Sequence, residues 1–189
     1  MANSPEITLH AFQPADQAAV KDLILADLAE HWGTLDPSKN PDLDDIAASY
    51  AAVSYAAASN AGASNAGAST AGASNAGASN AGASTAGAVF LVARNQDRII
   101  GTGALVPRQN GVAEVVRMSV AADWRRQGIG RMILQAQVDH ARQAGYQRII
   151  LETTETWQEV IAFYLRFGFR ITHNKDGDMY FELDLERNL

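Results

Sequence analysis

Arg125-Arg126-Gln127-Gly128-Ile129-Gly130-Arg131 gathers three arginines and two glycines directly after a strand-like run and at the start of a helical one. Glycine lets a backbone approach a ligand closely, and the first N–H groups of a helix have no partner within it, so the stretch favours an anion. The arginines add charge-assisted donors, and a pyrophosphate is the natural guest. The same residues would also serve as a tight strand-to-helix turn with solvated arginines. Two common nucleotide motifs are excluded: Ile133 occupies the third glycine position of a dinucleotide fingerprint, and no Gly-Lys-Ser/Thr follows to make a phosphate loop. The absence of cysteine removes disulfides, thiolate metal sites and a cysteinyl intermediate, so a group transfer would be direct or use another nucleophile. None of the four histidines stands in a recognisable pair and no carboxylate cluster has ligand spacing, so no metal is expected.

Such a site needs elements to hold it. Ile7, Leu9 and Ala11 alternate as a strand, after which Val20, Leu23, Ile24, Leu28 and His31 recur at helical spacing and Gly33 supplies a stop. Asn40 before Pro41 marks a second helix start, with Leu43, Ile46, Ala47 and Tyr50 on one face. Val89 to Arg94, Arg98 to Val106 and Val112 to Val120 read as an antiparallel meander, joined by Asn95-Gln96-Asp97 and by a segment carrying Asn110-Gly111. Alternation along the last of these puts Glu114, Val116, Met118 and Val120 on one face, unless a bulge intervenes. Gly128 to Ala144 is helical with Gly145 as its stop, and Arg148 to Glu152 fits a short buried strand. Thr156 and Glu159 have the spacing of a capping box, opening a helix that ends at Gly168. Phe169 to His173 and Met179 to Leu185 are the last strands, so the order is βαα, βββ, αβ, αββ.

The length of 189 residues, with 47% hydrophobic and 19% charged residues, suits one ordinary domain with a filled core. With 21 acidic against 15 basic residues the net charge is −6, so no broad cationic surface is available for a nucleic acid or an anionic membrane as partner. Met1 to Phe12 lacks a basic then apolar leader pattern, and no apolar run approaches a membrane span, so a soluble cytoplasmic protein is expected. Residues 59–88 stand apart as six copies of a five-residue unit, Ser-Asn-Ala-Gly-Ala four times and Ser-Thr-Ala-Gly-Ala twice. From Ile46 through Ala93 there is no charged side chain, and a glycine in every unit costs a helix about 1 kcal/mol each. The repeat reads as a flexible surface loop inserted into a domain spanning residues 1–189; a flat solenoid would need a large apolar residue in each unit.

The stretch beginning at Arg125 resembles the Arg/Gln-x-x-Gly-x-Gly/Ala motif of the GCN5-related N-acetyltransferases, with Arg125, Gly128 and Gly130 at its defining positions. Ala162-Phe163-Tyr164-Leu165-Arg166-Phe167-Gly168-Phe169 resembles the second hallmark, a tyrosine four residues before Gly-Phe on the last helix. Element order agrees along nearly the whole chain, the repeat excepted. The resemblance implies an α/β fold: a mixed sheet with an antiparallel meander and splayed central parallel strands, flanked by helices on both faces. It also implies acetyl-CoA as co-substrate, with the pyrophosphate held by Arg125, Arg126, Gln127, Gly128, Gly130 and Arg131. Pantetheine would lie along the fourth strand at Met118 and Val120, where its amides can pair with an exposed backbone edge; plain core packing explains both side chains equally well.

Acyl transfer from a thioester to an amine needs a neutral amine, a polarised carbonyl and a proton for the departing thiolate. Tyr164 matches the family's usual proton donor. A phenol of pKa about 10 protonating a thiolate whose acid has pKa about 8.5 is uphill by roughly 2 kcal/mol in water, which contact between hydroxyl and sulfur can offset. Glu114 matches the position from which some members supply a basic glutamate; a carboxylate paired with an arginine is the other reading. At pH 7 an α-amine of pKa about 7.8 is neutral roughly one time in seven, a lysine amine only about one in 2,500, so a lysine-like acceptor would need the base more. His31 lies where members build the acceptor site, and it would equally well cap its helix. Trp157 departs from the pattern, standing where many members have an asparagine that bonds the co-substrate; an indole can donate but not accept.

The resemblance implies an N-acetyltransferase that moves an acetyl group to a primary amine of a small-molecule or peptide acceptor, with Tyr164 as acid and Glu114 a candidate base. A non-catalytic sensor of acyl-CoA would keep the same binding residues, and the resemblance allows a homodimer. Deletion of residues 59–88 is expected to leave amine-dependent release of free CoA intact; a folded deletion variant without that release would make the repeat part of the site.

Overall fold

The computed structural model describes residues 6–50 and 87–186, so the flexible-loop reading of the repeat falls almost wholly outside the described residues. Seven strands form one sheet in the order β1-β2-β3-β4-β5-β7-β6. They are β1 (Ile7–Ala11), β2 (Val89–Asn95), β3 (Arg98–Pro107), β4 (Val112–Val120), β5 (Arg148–Thr154), β6 (Arg170–Lys175) and β7 (Asp178–Asp184). Every neighbouring pair is antiparallel except β4 with β5. The helices are α1 (Gln17–Trp32), α2 (Ile46–Ser49), α3 (Ile129–Gln143) and α4 (Gln158–Phe167). This is the expected α/β architecture, with the meander in β2 to β4 and the parallel pair at its centre. No helix among the described residues is long and apolar enough to cross a membrane.

β4 decides which side chains meet which helices. Thr102 pairs with Ser119 and Ala104 with Val116, so Gly103 alone faces two residues, Arg117 and Met118. Arg117 takes φ +56°, the left-handed conformation that accompanies a one-residue bulge. Because side chains alternate along a strand, the extra residue reverses every side chain beyond it. Glu114 and Val116 therefore share a face with Arg117 and Ser119, while Met118 and Val120 lie on the opposite one, against α3. The expected single face for Glu114, Val116, Met118 and Val120 is corrected by this bulge. Gly103 is what lets α3 pack closely here: a Cβ on it would lie 2.4 Å from Met118 Sδ and 2.7 Å from an Ile133 methyl.

The second predicted helix is only fragments. Pro41–Leu43 makes a tight helical turn and α2 a single further turn, capped by Asp45, whose carboxylate accepts from Ala48 N at 2.9 Å. Leu43, Ile46 and Tyr50 are buried as their spacing predicts, but Ala47 is exposed. The proposed Thr156 cap is also absent: α4 begins after Trp157 without a side-chain cap, and the Thr156 hydroxyl lies 3.5 Å from that of Thr154.

The bulge is held by a buried polar network between β4 and the segment after α1. Arg117 is fully buried; its Nε donates to Asp42 Oδ2 at 2.9 Å, its Nη2 to Oδ1 at 2.5 Å and its Nη1 to Asn40 Oδ1 at 2.9 Å. Tyr50 donates its hydroxyl to Asp42 and also lies 3.2 Å from Arg117 Nε. A buried guanidinium left without its carboxylate keeps the whole desolvation penalty. Asp42→Ala is therefore expected to destabilise the fold by roughly 3–5 kcal/mol in a urea titration, against about 1 kcal/mol for Asp44→Ala, whose ion pair with Lys21 is exposed.

Candidate active site

β4 and β5 pair only from Val112 to Glu114, against Arg148 to Ile150, and then separate, while β5 stays paired to β7 along its whole length. From Val115 onward the edge of β4 that faces β5 has no strand partner. Met118 and Val120 lie on this open stretch. Their side chains are buried in the core against α3, so whatever they offer a ligand comes from the main chain.

β4 leads into a helical turn at Ala122–Trp124 and then into Arg125–Gly128, where Arg126 (φ +59°) and Gly128 (φ +86°) both adopt left-handed backbone. At Gly128 a Cβ would meet nothing within 4 Å, so the requirement there is conformational rather than steric. The hydrogen-bond ladder of α3 begins with Met132 N donating to Gly128 O at 2.9 Å, so the N–H groups of Ile129, Gly130 and Arg131 precede it. Arg126, Gln127 and Arg131 are exposed around this helix start; Arg131 lies over the Phe167 ring at 5.6 Å, and Gln127 donates to Asp123 O. Five of the six expected pyrophosphate residues thus gather at one helix end. The guanidinium of Arg125 goes elsewhere, crossing to α1 to bond Asp27 Oδ1 at 2.8 Å and Glu30, and donating to Val120 O at 3.1 Å.

Tyr164 is 3% exposed, with its ring edge-on to Phe169 and tilted against Phe181. Burial raises its pKa, and the negative charge of Asp27 raises it further, so the phenol is protonated at any physiological pH. Asp27 is itself 3% exposed, and burial lifts its carboxyl to about 6 although Arg125 and the neighbouring Ser119 hydroxyl favour the charged form. Asp27 Oδ2 and Ser119 Oγ are both buried without a partner at hydrogen-bond geometry. Each such atom costs about 1–3 kcal/mol. Asp27 of α1 and Ser119 of β4 thus lie beside each other, and the charge of Asp27 is felt at Tyr164 of α4. Sequence reasoning did not single out Asp27, yet there was a signal: it falls three residues after Ile24 and seven after Val20, on the apolar stripe of α1 where a carboxylate does not belong.

Glu114 stands at the last paired position before the strands part. It is buried, and Arg108 donates Nε and Nη2 to its Oε2 at 2.5 Å, so the carboxylate does have the arginine partner that was the alternative reading. Glu152 lies on the same face of β5; burial and the charge of Glu114 raise its pKa. His31 does not stand alone at the end of α1: its ring lies 4.2 Å from that of Trp157, which also meets Trp32 at 5.8 Å. Burial and the charge of Arg125 lower the His31 pKa. Beside this aromatic cluster is a cavity of about 300 Å³ lined by Leu28, Trp32, Leu35, Asp36 and Lys39 among others. Trp32 is 52% exposed there. Among the described residues no group of His, Asp and Glu is arranged to hold a metal ion.

Comparison with known proteins bears on this arrangement. The model of the acetyltransferase (GNAT) family matches residues 71–169. An IAA acetyltransferase of Azospirillum brasilense is 40% identical over 81 residues, 42% of this chain and 53% of that protein. N-acetyltransferase 8F1 of Rattus norvegicus is 28% identical over 99 residues, 50% of this chain and 45% of its own length. The chain thus spans about half the length of these curated relatives. Solved structures share the fold along almost the whole chain. A GNAT-family acetyltransferase of Staphylococcus aureus has TM-score 0.70 and 18% identity over 95% of this chain and 99% of its own. PaiA N-acetyltransferase of Thermoplasma acidophilum, solved in complex with coenzyme A, has TM-score 0.67 and 14% identity over 95% and 99%. With the family model covering 99 of 189 residues, and with the splayed strands and glycine turn at the positions its motifs require, the chain belongs to the acetyltransferase (GNAT) family.

Proposed function

We propose that the protein is an N-acetyltransferase that moves the acetyl group of acetyl-CoA to a primary amine by direct attack. The observation that carries this reading is the open edge of β4 running straight into the helix start at Gly128, with a buried phenol beside the gap. The chemistry of the parts fits the substrate. Main-chain groups of Met118 and Val120 suit the amides of pantetheine by strand addition, and the α3 N–H groups with Arg126, Gln127 and Arg131 suit a diphosphate. Arg125 contributes by position: it ties this turn to α1 and fixes Val120 O, rather than offering its charge to the phosphate. The relatives named as acetyltransferases and the coenzyme A complex of a like fold support the same assignment.

The amine enters from the side of α1, where His31, Trp157 and the cavity at Trp32 lie. As its nitrogen forms the new C–N bond, the C–S bond breaks and Tyr164 gives its proton to the sulfur. The raised pKa of this phenol keeps the proton in place until a thiolate forms in the same dry surroundings, where the thiolate's basicity is raised as well. Glu114, with Glu152 across the mouth of the gap, is the carboxylate pair placed to receive an amine proton through water. The acceptor's identity lies in α1 and the segment after it, and no soluble cofactor beyond acetyl-CoA enters the scheme.

Tyr164→Phe is expected to lower kcat about 10²-fold or more in an assay of free CoA release with an amine panel, the usual scale for a lost general acid. Titration calorimetry of the same variant is expected to show CoA binding within about threefold of the parent, since ring packing is retained. A kcat within threefold of the parent would remove Tyr164 from the mechanism, and an absence of heat on mixing the parent protein with CoA would end the assignment.

A further inference from the structure

Trp32 is the most exposed of the three large apolar side chains that the described residues leave to solvent, at 52% against 44% for Leu165 and 42% for Ile171. It lines the cavity of about 300 Å³ at the end of α1, together with Leu28, Leu35, Asp36, Lys39 and Asn40. Leu28 is buried and Leu35 packs against the core, so the cavity has two aliphatic walls and an aromatic one. Each side of it is tied to an element that borders the strand gap. Asn40 Oδ1 accepts from Arg117 Nη1 of β4 at 2.9 Å. The residue before Leu28, Asp27, accepts from Arg125, which also donates to Val120 O on the open edge of β4. Trp32 meets Trp157, at the start of α4, with ring centroids 5.8 Å apart. Tyr164 lies seven residues beyond Trp157, about 10 Å of helix rise.

The rim carries one charge of each sign. Asp36 Oδ1 accepts from Ser38 N at 3.0 Å and from Ser38 Oγ at 2.7 Å, which fixes the carboxylate, and Lys39 follows with its N–H donating to Asp36 O at 3.1 Å. A polyamine would need a carboxylate for each further ammonium, and Glu30, near the end of α1, is already engaged by Arg125. An acidic acceptor would meet Asp36 beside Lys39. An uncharged apolar body meets neither obstacle. We propose that the acceptor is an arylalkylamine: one primary amine at the gap, an arm of several atoms, and an aromatic ring seated on Trp32 between Leu28 and Leu35. The inference rests on the acetyl-transfer reading and names the substrate class of that same site. Small-molecule pockets begin at about 300 Å³, so the cavity suits one substituted ring rather than a long chain. A ring set offset or edge-on to an indole gains more than the area it covers, which an alkyl chain does not. The separation of Trp157 from Tyr164 sets the arm: benzylamine is too short to bridge it, and 4-phenylbutylamine has the reach. A C–N bond forms, the C–S bond breaks with its electron pair on sulfur, and the proton lost by nitrogen balances the one gained by sulfur, giving the arylalkyl acetamide and the free thiol.

The test is kcat/KM, by release of free CoA from acetyl-CoA, for 4-phenylbutylamine, benzylamine, butylamine, spermidine and phenylalanine, with calorimetry of 4-phenylbutylamine and butylamine binding to the CoA-loaded protein. 4-Phenylbutylamine is expected to exceed butylamine by about 30-fold or more in kcat/KM, the scale on which an apolar pocket discriminates, and the other three by about tenfold or more. Trp32→Ala is expected to cut the preference for 4-phenylbutylamine over butylamine by about tenfold or more, as loss of a central aromatic anchor does. Ile171→Ala, which removes an exposed apolar side chain from β6 instead, is expected to keep that preference within about threefold. A parent protein that uses any of the other four amines as well as 4-phenylbutylamine, or a preference that survives Trp32→Ala, would overturn the proposal. Where the alanine variant fails to fold, the parent's preference decides. A parent protein that binds 4-phenylbutylamine the more tightly but transfers no acetyl group would overturn the transfer reading and leave the cavity's ligand class standing. Equal binding of the two amines without transfer would overturn both.

Discussion

One extra residue in β4 sets the terms for the rest of the molecule. The bulge at Arg117 turns the second half of that strand over, so a single segment serves two helical layers: Glu114 and Val116 on one face, Met118 and Val120 on the other. It also accompanies the departure of β4 from β5 a few residues earlier, which leaves a strand edge open inside an otherwise continuous sheet. Left-handed backbone at a non-glycine residue costs roughly 1–2 kcal/mol. Here it is held by a guanidinium whose hydrogen bonds reach Asp42, Asn40 and Tyr50, so the segment after α1 fixes the shape of the strand. The face of β4 toward the segment after α1 and its open edge beside β5 are therefore shaped by the same contacts.

A second crossing repeats the pattern. Arg125 joins the glycine turn to Asp27 and Glu30 of α1 while holding the last carbonyl of β4. The two arginines lie eight positions apart in the sequence and both run from the central strand or its exit to the N-terminal half of the chain. Each closes a contact across more than 70 residues, including those of the repeat. The helix that carries His31 and Trp32 is in this way anchored twice, against the turn after β4 by Asp27 and against the start of α4 by Trp157.

The elements were readable where one force dominated. Apolar, β-rich runs bounded by turn residues gave β2, β3 and β4 to within a residue or two, and helical stretches with Gly145 and Gly168 behind them gave α3 and α4. The segment from Asn40 to Tyr50 was harder, because Asp42 and Asn40 are drawn inward by Arg117 and break the helical run that the apolar residues suggest. The glycine turn and Tyr164 were legible because their motifs are local. Asp27 was not, since Arg125, which its carboxylate bonds, lies 98 residues further on, and no spacing on α1 alone names it. The bulge was foreseen only as a condition on the alternation; what betrays it in the sequence is an arginine in the middle of a strand that is otherwise apolar around it.

The ring of His31, tilted against Trp157, which also meets Trp32, ties one ionisable group to an aromatic cluster. An imidazolium quenches indole emission more than a neutral imidazole does, so Trp157 is placed to report the charge of the ring it meets. Burial and the charge of Arg125 lower the pKa of His31, so the quenching form is disfavoured in the folded protein and Trp157 emission falls as the pH is taken down.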